Sequence, residues 1–292
     1  MISISVGICA YNEEKNIGRL LRALLNQETN KIKIEEIIVV SSGSTDRTNE
    51  IVREFAKLDQ RIRLTTQPKR MGKASAVNEF LKNAEGDICV LESADTVPAK
   101  NALEKLCIPF RDKTVGLTGG RPIPTNDRNS FIGFAGHLIW ELHHRISLKN
   151  PKFGEFIAFR NVIDKIPEKI AVDEAWIEAL IKKKGYRVVY VPEAICYNTA
   201  PQNLRDFIRQ RRRIYFGHLH LKKEMKYEVS TVNLKNIIDA LKDMNLKPKE
   251  WIYLGGAVFL EGISRFLGFL DYLLKRDHFI WDIAESTKDV KL

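Results

Sequence analysis

Cysteine is scarce in this chain: four residues in 292, Cys9, Cys89, Cys107 and Cys196, with no CxxC spacing among them. That scatter excludes a disulfide framework and a zinc knuckle, and fits a reducing compartment in which the thiols serve as small buried hydrophobes. Acid is short as well, 37 Asp plus Glu against 47 Lys plus Arg, a net charge of +10. An acidic partner is therefore expected: a phosphorylated substrate, a nucleic acid or an anionic membrane. Internal repeats and low-complexity tracts are absent. The opening MISISVGICAYNEE has neither a basic lead nor an apolar run of signal-peptide length, which predicts that the protein is not secreted and keeps its N-terminal part in the cytoplasm. Hydrophobic residues make up 44% of the chain, enough for the core of one large domain or two small ones and too many for a disordered chain.

What is present is a regular alternation. Residues 2–9, 37–40, 62–66 and 88–91 read as buried strands. Between them Ile17, Leu20, Leu21, Leu24 and Leu25 make one helical stripe, Ile51, Val52, Phe55 and Leu58 a second, and Ala74, Val77, Leu81 and Ala84 a third. Strand and helix in turn predict an α/β protein with a mainly parallel sheet covered on both faces, which binds ligands at the carboxyl ends of its strands. Those ends are polar: Ala10-Tyr11-Asn12-Glu13, Ser41-Ser42-Gly43-Ser44-Thr45-Asp46 and Glu92-Ser93-Ala94-Asp95. Asp95 could cap a turn, or could hold Mg²⁺ or Mn²⁺ against a diphosphate. A helix opening at Gly72 would offer free N–H groups to the same anion, with Lys73 adding a point charge.

After residue 115 the rhythm changes. A helix over 131–146, a strand over 156–160, a helix stopped by Gly185 and a strand over 187–191 ending before Pro192 are expected. Residues 202–220 predict a helix with Leu204, Phe207, Ile208, Ile214 and Tyr215 on one face and Arg205, Arg209, Arg212 and Arg213 on the other. Arg211 falls on the apolar face, where it needs a carboxylate or a phosphate as partner. Residues 222–250 read as a lysine-rich linker with a helix near 232–241, and 251–274 is the most apolar stretch.

The motifs taken together resemble the family 2 inverting glycosyltransferases of GT-A fold. The resemblance is carried by residues 6–14 (VGICAYNEE), 38–48 (IVVSSGSTDRT), 70–78 (RMGKASAVN), Ser93-Ala94-Asp95, Val172-Asp173-Glu174 and Gln210-Arg211-Arg212-Arg213, in that order, over roughly residues 1–220. It implies a Rossmann-like nucleotide-binding domain at 1–225 and a helical membrane-associating segment at 226–292. It also implies a donor nucleotide against Ala10, Tyr11, Asn12, Glu13 and Ser41, its diphosphate near Lys73, and a divalent metal, Mn or Mg, on Asp95. The catalytic base would be Asp173 or Glu174: aligned position favours Glu174, the family's usual acid type favours Asp173, and the balance falls on Asp173. Gln210, Arg211 and Arg213 would line the acceptor and diphosphate side. Many relatives carry Asp-Asp at Ser41-Ser42 and Asp at Ser93, so a metal here would rest on one carboxylate plus phosphate oxygens and bind more weakly. Ile214 stands where the Gln-x-x-Arg-Trp motif has tryptophan, which argues against a processive polysaccharide synthase.

His143-His144 and the pair His218 and His220 lack metal-ligand spacing. Residues 251–274 are long enough to cross a bilayer, yet Glu261, Arg265 and Asp271 fall on one narrow stripe. Three readings stand: a helix lying in the membrane interface, a span packed on a partner, and a core helix. The first is preferred because of the net charge and the lysines at 222, 223 and 226. The expected activity is transfer of a sugar from a UDP- or GDP-sugar to a hydroxyl of a saccharide or lipid-linked acceptor at the cytoplasmic side of the cell membrane. The rivals are a nucleotide-sugar binder that has lost catalysis, and a nucleic-acid binder, disfavoured because no aromatic platform accompanies the arginines.

Overall fold

The computed structural model describes residues 1–242, 244–280 and 284–288. Its first half is β1 (Ile2–Ala10), α1 (Ile17–Leu25), β2 (Ile32–Ser42), α2 (Thr48–Leu58), β3 (Ile62–Gln67), α3 (Lys73–Asn83) and β4 (Ile88–Ser93), the alternation expected from hydrophobic spacing. β2 begins earlier than its apolar run. Its register against β1 passes from Ile4↔Ile34 to Ser5↔Glu36, so Glu35 bulges out and breaks the period-2 pattern that would have marked the strand. Leu58, placed in the second stripe, ends α2 exposed to solvent.

The second half supplies β5 (Thr96–Pro98), α4 (Ala102–Cys107), β6 (Val115–Pro124), α5 (Phe131–Lys149), β7 (Phe156–Arg160), α6 (Asp173–Lys183), β8 (Arg187–Asn198), α7 (Leu204–Met225), α8 (Leu234–Lys242) and α9 (Pro248–Leu273). Among the described residues the eight strands form one mixed sheet in the order β3-β2-β1-β4-β7-β6-β8-β5. β1, β2, β3 and β4 pair in parallel, while β7 runs antiparallel to both β4 and β6. β1 has β2 on one flank and β4 on the other, so successive connections leave it in opposite directions and open a crevice at its carboxyl end. β8 does not stop at Pro192. It continues to Asn198, with Pro192 inside the stretch where the ladder to β6 jumps from Gly119↔Tyr190 to Arg121↔Ile195, a bulge that needs no N–H from proline.

Two cores lie on opposite faces of the sheet. Ile4, Val6 and Ile8 pack with α1, α2 and α4, whereas Ile38, Val40, Cys89 and Leu91 pack with α3 and α6. Phe80 of α3 lies so close on β1 that a Cβ at Gly7 would come within 2.5 Å of its ring, so this position excludes a side chain.

The break at 247–250 is a helix start. Pro248 takes the first turn of α9 and Glu250 accepts from the Lys247 amide at 2.8 Å, a placement that suits proline's fixed φ. α9 then runs beside α7, and at Gly268 a Cβ would sit 2.6 Å from the Arg212 carbonyl oxygen. Its polar stripe is consumed by this packing. Arg211 donates to both oxygens of Glu261 at 2.8 and 2.9 Å, Arg265 donates to Glu261 at 2.8 Å, and Arg212 forks onto Asp271. Arg212, expected on the face of α7 opposite the apolar one, is therefore packed against α9. A third core, of Phe134, Ala135, Leu138, Phe207, Leu254 and Ala257, joins α5, α7 and α9. The opposite face of α9 carries exposed Trp251, Ile252, Val258, Phe259, Phe266, Phe269 and Leu273.

Candidate active site

The loops after β1 and β2 fasten to each other above the sheet. Asn12 takes a left-handed φ of 53°, a conformation asparagine tolerates better than most residues. Its carboxamide accepts from the Thr45 amide at 2.8 Å, its own amide donates to Ser44 Oγ at 3.1 Å, and the Glu13 amide donates to Thr48 Oγ1 at 2.7 Å. Ala10, Tyr11 and Glu13 line the crevice, with the Arg70 guanidinium 4.2 Å from the centre of the Tyr11 ring. Asn12 is turned into this fastening and Ser41 is fully buried, its hydroxyl 2.8 Å from Ser44 Oγ. Neither reaches the cavity. The strand alternation presents Ser42 instead, which accepts from the Met71 amide at 2.9 Å.

At the opening of α3, Gly72 has φ +89° and leaves the first N–H groups of the helix without a side-chain cap. Lys73 follows, its ammonium 2.5 Å from Glu174 and 3.1 Å from Asp173 at the start of α6. Burial works against the charge on Lys73, yet the two carboxylates hold its pKa above the ordinary value. The two acids differ. Asp173 is only 2% exposed and lies behind the cavity wall, with burial and the Glu174 charge pushing its pKa up to about 6. Glu174 lines the cavity; burial pushes its pKa up, but Lys73 overcomes that and holds it below the usual carboxylate value.

Asp95, in the turn between β4 and β5, lines the same cavity, and burial raises its pKa. It forms part of an acidic group. Burial and the Asp95 charge raise Glu13 to about 7, and they raise Glu155 to about 7 as well. Facing these is Arg213. Burial lowers its pKa to about 10 against the attraction of Asp173, Glu174, Glu155 and Asp95, so it remains a cation at neutral pH. Arg213 and Gln210 line the cavity; Arg211 does too, with its guanidinium committed to Glu261. Cys9 also faces this space, but burial raises its thiol to about 12, which leaves it un-ionised.

Three residues outside the sequence-derived set converge here: Arg70, Glu155 and Lys288. After α9 the chain turns back at Lys275, with φ 52°, and Phe279 packs against Phe216 and His220. Lys288 then donates to the carbonyls of Tyr11 at 2.8 Å and Asn12 at 2.5 Å and pairs with Glu13 at 3.1 Å. Arg70 opens the motif at 70–78 and could have been found from it. Glu155 and Lys288 carry no sequence signal, being brought in by β7 and by the returning tail.

One cavity of 1030 Å³ contains Tyr11, Lys73, Asp95, Glu174 and Arg213. A sequence model described as glycosyl transferase family 2 matches residues 5–192, which include Tyr11, Lys73, Asp95 and Glu174. The chain belongs to glycosyl transferase family 2. Among proteins similar to it, the probable glycosyltransferase YdaM of Bacillus subtilis is 26% identical over 254 residues, covering 80% of this chain and 60% of that protein. The poly-beta-1,6-N-acetyl-D-glucosamine synthase of Staphylococcus aureus (strain COL) is 29% identical over 222 residues, covering 70% and 52%. This chain thus spans between half and two thirds of the length of the curated relatives. In structure it is similar to the mannosyltransferase PcManGT from Pyrobaculum calidifontis, solved with GDP-Man and Mn²⁺, with a TM-score of 0.65 at 23% identity over 94% of this chain and 88% of that one. Residues 1–349 of S. aureus TarS match with a TM-score of 0.50 at 18% identity over 90% and 81%. The fold is accordingly that of the GT-A glycosyltransferases.

Proposed function

We propose that this family 2 protein is an inverting glycosyltransferase that moves a sugar from a nucleotide diphosphate sugar to an acceptor hydroxyl at a membrane surface. The observation that carries the reading is the convergence of Lys73, Arg213, Asp95 and Glu174 in one cavity. The nucleoside belongs against Tyr11 and Ser42, and the diphosphate between Lys73, Arg213 and the open N-terminus of α3. As the anomeric carbon–oxygen bond breaks, its electron pair goes to the diphosphate, whose new charge these groups stabilise.

Glu174, the acid that reaches the cavity, is the base for the acceptor hydroxyl. In the structure Lys73 holds it ionised. A diphosphate draws the ammonium toward itself, which raises the carboxylate's proton affinity when the acceptor must be deprotonated. Asp173 keeps Lys73 in place from behind. The residues present also fit a divalent metal. Among the described residues no three acidic, histidine or cysteine side chains could hold one by themselves, but the mutual repulsion of Asp95, Glu13 and Glu155 is what a cation relieves. Asp95 would hold Mg²⁺ or Mn²⁺ with phosphate oxygens and water completing the shell. Its chemistry would be neutralisation of the departing diphosphate.

Membrane attachment is supported by α9. Its charged stripe is spent on α7, so crossing a bilayer would drag the charged α7 with it, whereas lying flat immerses only the apolar face. Exposed Lys247 and Lys249 at one end and Lys275 and Arg276 at the other suit anionic headgroups. The four free cysteines fit a cytoplasmic side.

Calorimetry with UDP, GDP and their sugars, with and without Mn²⁺, tests the donor site. The expected result is metal-dependent binding that Asp95→Ala weakens at least tenfold. A folded wild type that binds none of these nucleotides would overturn the reading.

A further inference from the structure

The cavity does not end at Glu174. It continues between α5, α8 and α9 and emerges between Leu234, Ile238 and Val258, which both line it and stand 69%, 45% and 59% exposed. At 1030 Å³ it sits at the upper limit of the roughly 300–1,000 Å³ usual for one small-molecule site, so it has room for a second ligand beside the donor. The outer part is apolar, lined by Leu138, Ile139, Leu142, Leu241 and Leu254. It opens onto the side of the molecule where α9 exposes its hydrophobic face.

Three basic residues, Lys152, His143 and His218, line the same cavity and make a basic waist. Lys152 is within electrostatic reach of Glu178, Glu174 and Glu155 as well as Arg211, and it acts in turn on His143 and His218. Its ammonium makes no hydrogen bond or ion pair among the described residues. His143 is 6% exposed, lines the cavity, and neither of its ring nitrogens has a hydrogen-bond partner among the described residues. Burial holds His143 and His218 neutral, with Lys152 and other cations nearby disfavouring their charge further; burial lowers Lys152 as well, against the attraction of Glu178, Glu174 and Glu155. A buried imidazole without partners is costly, and three basic groups around a cavity make a place where an anion gains from all of them.

We propose that the acceptor is a saccharide carried through phosphate on a single-chain lipid, with its phosphate held by Lys152, His143 and His218 and its hydrocarbon chain running out between α5, α8 and α9. This rests on the transferase reading for its chemistry. The saccharide hydroxyl then faces Glu174, which takes its proton; the new bond forms from that oxygen to the anomeric carbon, and the nucleoside diphosphate leaves with the electron pair. The chain's exit is where the apolar face of α9 would meet the bilayer, so the acceptor need not leave the membrane.

The test is calorimetry on the full chain with decyl phosphate below its micelle concentration, against decyl maltoside, inorganic phosphate and lysophosphatidylcholine, with histidine-ring NMR in parallel. Decyl phosphate is expected to bind at least thirtyfold tighter than each comparator and to raise the titration points of His143 and His218. Lys152→Met should weaken it at least tenfold, and Leu138→Trp, which fills the passage, should do so without touching the basic waist. Both variants should bind nucleoside diphosphate as the wild type does. Equal binding of decyl maltoside, equal binding of lysophosphatidylcholine, or an unchanged affinity in both variants overturns the proposal. Nucleotide binding is measured in the same samples. Its loss with decyl phosphate binding intact would sink the donor reading alone, while the reverse would sink the lipid-phosphate site alone.

Discussion

Lys73 is the residue on which the site turns, because it answers both acids at the start of α6 at once. The consequence separates those acids. With Glu174 as base, Glu174→Gln should lower kcat about a thousandfold, within the ~10²–10⁴ of general-base catalysis, and leave the donor Kd within a few fold. Asp173→Asn should cost nearer tenfold and act through the position of Lys73. A larger loss in Asp173→Asn, measured by sugar transfer at saturating donor, would reverse the assignment. The neighbouring Glu155 makes a stability prediction. Burial and the Asp95 charge raise it to about 7 from an ordinary 4.5, so between these values the folded protein keeps a proton that the unfolded chain has released. Its stabilising contribution is complete below pH 4.5 and is lost as pH rises through 7. The Tm of the wild type should therefore fall by a few degrees relative to Glu155→Gln between pH 5 and 8. A constant difference across that range would show that Glu155 does not titrate there.

Elements explain why three successive arginines do three different things. α7 borders both the cavity and α9, so Arg213 turns into the cavity, Arg211 reaches Glu261 and Arg212 reaches Asp271. A helical wheel places these residues on faces but does not say what each face meets, and the partners sit fifty residues or more downstream. The Arg211–Glu261 pair is mostly shielded, with side chains 18% and 23% exposed. Glu261→Ala strands Arg211 and should cost about 2 kcal/mol, below the ~3–5 for a fully buried pair. Replacing both residues by methionine should restore most of that loss. Urea denaturation of the single and double variants checks it, and equal losses in both would show that packing alone holds α9.

At the scale of the molecule, the exposed face of α9, the basic groups at its ends and the net charge of +10 act together. Phe259→Ser with Phe266→Ser removes two side chains worth roughly 1.5–3 kcal/mol each when buried. Flotation with anionic vesicles should show at least tenfold weaker association, and high salt should weaken the wild type further by screening its lysines. Unchanged flotation of the double variant would place the contact elsewhere. The sequence by itself determined the first four strands and three helices, the crevice at β1 and the polar loops that border it, because each is local: apolar period, a Gly-Lys helix start and polar strand ends lie within a few residues of one another. It also supplied the family motifs in order. Only the tertiary structure decided that Ser42 rather than Ser41, and Glu174 rather than Asp173, faces the cavity, since a neighbouring residue changes side according to packing that no local pattern encodes. Lys288 and Glu155 belong to the same class. Both reach the site from distant segments, and their carboxylate and ammonium partners acquire shifted proton affinities only because folding buries them together.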